Sequence, residues 1–130
     1  MLKALKVTTM IWGAIGVLGG LAYIIIPDQV AELYGFGQIA DYVKWLMAFG
    51  GAIFIAAGVW VVVAGRDPLR HINWIKFEIT KSILVPVVTG YSIIQGYVRF
   101  GQVGAILILF AVFAVALLAF YPWRAARSGE

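Results

Sequence analysis

Glu78 is the one acid of this chain set inside an apolar stretch, and the residues able to do chemistry gather around it in sequence. On a helix turning about 100° per residue, His71, Trp74, Ser82, Thr89 and Ser92 all project within about 40° of Glu78. Lys81 falls at the edge of that face, whereas Lys76 and Leu84 project away from it. The spacing therefore predicts one helix with a polar stripe, on which Ser82, Thr89 and Ser92 face other helices and Lys76 does not.

Two chemistries are open to Glu78. Lys81, three residues on, is placed to pair with it on the same helix. At ~6 Å beyond Trp74, such a pair reaches lipid headgroups and is structural. Alternatively, an ionisable group within a membrane span marks a ligand or proton site. Thr89 and Ser92 lie deeper, where hydroxyls bond a neighbouring helix or the carbonyl four residues back.

Other chemistries find little to build on. His71 is the only histidine, and haem or chlorophyll ligation there is disfavoured by its place beside Arg70 and Trp74 at the start of the apolar run. It is ~16 Å along the helix from Ser82, too far for a nucleophile and its base. No phosphate loop, zinc-protease helix or pair of catalytic carboxylates is visible, and cysteine is absent, which removes thiolate metal sites and thiol redox chemistry. The expectation is a protein that is not an enzyme and holds no metal.

The elements that carry these residues follow from composition. Of 130 residues, 63% are hydrophobic and 12% charged, and the mean hydropathy is +0.97. Soluble domains carry roughly a quarter charged residues, so the chain reads as an all-α integral membrane protein, with lipids as partners. A net charge of +4 does not imply nucleic-acid binding, because the positions of the charges matter more than their sum. Four spans are expected, at about residues 5–26, 42–64, 68–98 and 102–122, as one transmembrane domain over 1–130. Lys3 and Lys6 precede a run too long for a signal peptide, so the first span is expected to be retained. Its Gly13, Gly16, Gly19 and Gly20 form a small-residue side, with Gly16 and Gly20 at GxxxG spacing.

Pro27 ends the first span, and residues 28–41 suggest a short interfacial helix closing at Gly35. Lys44 and Trp45 suit the start of the second span, and Gly65 its cap. Asp67 and Pro68 resemble an N-cap and first helical residue, so the third span is expected to begin there, with a kink at Pro86. Phe36-Gly37-Gln38-Ile39 returns as Phe100-Gly101-Gln102-Val103, a weak repeat. Lys3, Lys6, Arg66, Arg70, Arg124 and Arg127 fall on one side of the four-span array, against Lys44 and Arg99 on the other. The positive-inside rule then places both termini in the cytoplasm.

A first span ending in proline, then Leu33-Tyr34-Gly35, a glycine-rich second span, and Arg66-Asp67-Pro68 with His71 resemble small bacterial four-helix membrane proteins of the BphX-like and DoxX-like kind. The resemblance implies a four-helix bundle in the bacterial inner membrane. Through the DoxX-like relatives it implies links to membrane redox complexes and quinone-coupled sulfur oxidation, although the missing cysteine disfavours sulfur handling. Two functions are expected. One is a non-catalytic accessory subunit of a larger membrane assembly or a homo-oligomer. The other is a binding or redox-accessory protein holding a lipophilic molecule such as a quinone at the polar face of the third span, with His71, Trp74, Glu78, Lys81, Ser82, Thr89 and Ser92 as candidate contacts.

Overall fold

The computed structural model describes residues 2–123. Arg124 and Arg127, which entered the charge bias, lie outside the described residues. Five helices follow in order: α1 (Leu2–Ile25), α2 (Pro27–Leu33), α3 (Asp41–Arg66), α4 (Ile72–Ile94) and α5 (Phe100–Phe120). The four longer ones are each long and apolar enough to cross a membrane.

α1 and α3 form the tightest pair. They run antiparallel, with Gly13 facing Gly58 and Gly20 facing Gly51, two turns apart on each helix. A Cβ on Gly13 would come to 2.8 Å from the Gly58 carbonyl oxygen, and one on Gly58 to 2.6 Å from that of Gly13. Backbones so close gain dispersion contacts along their whole length, which is how helices associate in lipid. The pairing differs from the expected GxxxG edge. Gly20 is in the contact, but Gly16 has only ordinary neighbours, at 3.6 Å and beyond, and Gly19 has none within 4 Å. Gly65 is also recast. It lies within α3, not at its cap, packed on Met10 and the backbone of Lys6.

Residues 67–71 correct the start of the third span. The Asp67 carboxylate does accept a backbone hydrogen bond from Arg70 at 3.3 Å. That turn closes with His71 N–H on the Asp67 carbonyl, at 3.2 Å, and the helix proper begins at Ile72 with His71 at its N-cap. α4 runs through Pro86 without ending and stops four residues before the expected boundary of 98. The reason is Gly96, whose φ of +78° suits only glycine at low cost. There Tyr97 N–H bonds the Ser92 carbonyl and Gly96 N–H that of Ile93, closing the helix in a Schellman motif. α2 closes in the same way at Gly35, with φ of +76°.

α2 and its following turn are held at both sides. The Lys44 ammonium pairs with Asp28 at 3.3 Å and Asp41 at 3.8 Å. Gln102 accepts from Arg99 N–H at 2.9 Å, capping α5, and donates to the Gly35 carbonyl at 3.2 Å. The two copies of the weak repeat thus differ in form: the first is in the α2–α3 connection and the second opens α5. The buried cluster of Leu5, Trp12, Ala64, Ile75, Phe110, Leu117 and Tyr121 fills the half of the bundle holding the α3–α4 turn.

Candidate functional site

α3 and α4 are antiparallel, since Trp60 stacks on Trp74 near the turn that joins them and Ile53 shares a groove with Phe77. α1 and α4 are therefore parallel, and one bond sets their register: the Trp12 indole N–H donates to Ser82 Oγ at 3.1 Å, fully buried. Leu5, Thr9 and Trp12 form one column on α1. Ile75, Glu78 and Ser82 form the matching column on α4. Each column repeats at three to four residues, so the sequence alone turns it to one side of its helix.

Glu78 points inward. Its side chain is 1% exposed, and its Oε2 lies 2.7 Å from the Lys81 ammonium, whose side chain is 17% exposed. The pair is therefore inside the bundle, with the carboxylate covered by other helices. The Trp12 N–H borders this carboxylate too, but its hydrogen bond goes to Ser82. Glu78 Oε1 and Thr9 Oγ1 are buried without a hydrogen bond from any described residue. The ammonium lies 5.4 Å from the Trp12 ring centroid and 5.8 Å from that of Phe54. Two aromatic faces and one carboxylate thus stabilise a charge that burial would otherwise penalise.

Beyond Lys81 the bundle encloses a cavity of about 300 Å³. Trp12 stacks on Phe113 at 4.3 Å and meets Phe110 edge-on at 4.8 Å, forming one end. Tyr23 and Tyr34 form the other, their hydroxyls 3.5 Å apart. Between these ends the wall is apolar, made by Ile15, Phe54, Val85 and Ile106 among others, with Thr89 as a further polar residue. Thr89 Oγ1 donates to its own Val85 carbonyl at 2.7 Å.

The structure divides the predicted stripe. Lys81 and Thr89 line the cavity, and Glu78 and Ser82 are buried just behind it. Ser92 only donates to the Val88 carbonyl, at 2.9 Å. Trp74 belongs to the α3–α4 groove with Trp60, and His71 is held at the N-cap of α4, so neither meets the cavity. Lys76 is exposed. Among the described residues no three His, Cys, Asp or Glu side chains converge as metal ligands would.

No family model, curated protein or solved structure matches this chain. The resemblance to BphX-like and DoxX-like proteins thus rests on the quoted residues alone.

Trp12, Tyr23, Tyr34 and Phe54 were not foreseen as part of a site. Trp12 did carry a signal: tryptophans of membrane proteins concentrate at the interfaces, and this one lies ten residues into α1. An indole at that depth needs a partner for its N–H, and Ser82 supplies it.

Proposed function

We propose that the chain is a small integral protein of the bacterial cytoplasmic membrane that binds a lipophilic molecule, a quinone being one example, inside its helical bundle. The cavity beyond Lys81 is the observation that carries this reading. It is apolar, of the size a small ring system needs, and has a few polar groups at its ends, the usual makeup of a small-molecule site. Its role is binding, without catalysis. The reading includes kinship with the BphX-like and DoxX-like proteins, and it places α2 in the membrane interface.

The assembly reading, in which the chain is an accessory subunit or homo-oligomer, draws on different surfaces. α4 exposes Leu84, Val87, Val88, Tyr91 and Ile94, a face that lipid or a neighbouring helix would cover. The glycines Gly13, Gly20, Gly51 and Gly58, by contrast, are used within the chain.

Purification in mild detergent, followed by solvent extraction and mass measurement, tests the choice. A stoichiometric lipophilic molecule is expected from the native chain. Thr89→Phe fills the cavity without removing any bond beyond its own turn, so the molecule should be missing from that variant while the yield of folded, monodisperse protein holds. Equal recovery from both proteins, or none from either, would refute the binding reading. A stoichiometric protein partner with no extract would support the assembly.

The proposed topology has both termini in the cytoplasm. The chain has no cysteine, so single introduced thiols report cleanly. In intact cells a membrane-impermeant maleimide is expected to label Gln38→Cys and to leave Arg70→Cys unlabelled. The reverse pattern would invert the topology.

A further inference from the structure

The cavity has a side entrance, and the charge at its inner end restricts what can pass through it. Of its fourteen lining residues only Gly19 and Leu109 are exposed. Gly19 stands seven residues, two turns, above Trp12 on the same face of α1. At Trp12 that face is filled by an indole packed on Phe110 and Phe113 of α5. At Gly19 it is bare, and a Cβ there would meet nothing within 4 Å. The two exposed lining residues, Gly19 of α1 and Leu109 of α5, thus put the opening on the seam between these helices, within the length of the apolar spans.

The ends are shut. The Trp12–Ser82 bond and the Lys81–Glu78 pair close one of them. Tyr23 and Tyr34 close the other, under a turn that Gln102 ties to α5. α1 is drawn against α3 by Gly13 and Gly20, so no passage runs through that seam.

The charge at the inner end is balanced. Glu78 neutralises Lys81 at 2.7 Å. An anion drawn to the ammonium would also face a buried carboxylate with an unpaired oxygen, and it would leave its own hydration behind. A neutral acceptor escapes both costs and still receives a hydrogen bond from the ammonium, which has three donors and one carboxylate to serve. Trp12, Phe54, Tyr23 and Phe110 supply the surroundings of a flat ring.

Building on the binding reading, we infer that the cavity is filled sideways from the lipid, past Gly19, by a neutral ring-bearing lipophile whose carbonyl-type oxygen accepts from Lys81. Decyl-benzoquinone is a probe of that class, and lauric acid is an anion of similar chain length. With Trp45, Trp60, Trp74 and Trp123 changed to phenylalanine, quenching of the remaining Trp12 in lipid nanodiscs reports arrival of the quinone. Saturable quenching is expected, with lauric acid relieving it only at concentrations at least tenfold above the half-saturating concentration of the quinone. Gly19→Phe should slow the association rate at least tenfold without lowering the melting temperature. Gly50→Phe, at a glycine where an added Cβ would also meet nothing within 4 Å but away from the cavity, should leave the rate unchanged. Unaltered association in Gly19→Phe would overturn the entrance, and equal competition by lauric acid would overturn the neutral class. Absence of saturable quenching in the protein with native Gly19 would instead remove the binding reading itself, and this inference with it.

Discussion

Glu78→Gln alone, or Lys81→Met alone, is expected to destabilise the folded protein by about 3–5 kcal/mol, as removal of one partner from a buried ion pair does. Glu78→Gln preserves shape but leaves an ammonium between Trp12 and Phe54 with no carboxylate beside it. Lys81→Met leaves a carboxylate that is 1% exposed and accepts no hydrogen bond from a described residue. The double variant Glu78→Leu with Lys81→Met removes both charges and should regain most of the loss, because an apolar pair needs no compensation in this wall. Thermal unfolding in detergent, run on the four proteins as a cycle, measures the coupling. Were the pair to reach headgroups, as the sequence alone allows, each single change would cost only ~0–1 kcal/mol. A mild effect in both single variants would therefore place the pair in contact with water.

Gly20→Leu is expected to have an effect as large, of a different origin. A Cβ at Gly20 would run into the Gly51 carbonyl and the Ile55 side chain. Backbone atoms cannot swing aside as a side chain end can, so α1 must move off α3. Overpacking costs ~1–3 kcal/mol where a core can adjust and more where it cannot, and the upper part of that range or beyond is expected here. Gly51→Leu should match it, because the same contact is met from the other side. Gly16→Ala should stay close to native, since its Cβ falls into ordinary contact at 3.6 Å from the Phe54 carbonyl. Melting temperatures of the three variants decide between this pairing and the GxxxG edge. Loss of stability in Gly16→Ala with none in Gly20→Leu would show α1 turned the other way.

Some features were written in the sequence because their causes are local. Four runs of apolar residues, each about twenty long, must bond their own backbone groups if they lie in hydrocarbon, and only helices do so within one segment. The inward column of Glu78 and Ser82 follows from spacing along one helix, and Lys81 reaches Glu78 because three residues is nearly one turn. Other features had no local cause. Glycines at 13, 16, 19 and 20 look alike along α1, and the choice of Gly13 and Gly20 for the contact depends on where Gly58 and Gly51 stand on α3. The start of α4 shifted from Pro68 to Ile72 because the chain needs a turn to bring α4 alongside both α3 and α1, which keeps His71 at the cap and out of the cavity. The depth of the Lys81–Glu78 pair could not be read from α4 at all. It is set by Trp12 and Phe54, which come from two other helices and cover the ammonium. A sequence determines what each helix offers on each side, but the rotation of one helix against the next is fixed by the atoms of both. Only the packed bundle decided that the polar stripe of α4 would end in a cavity.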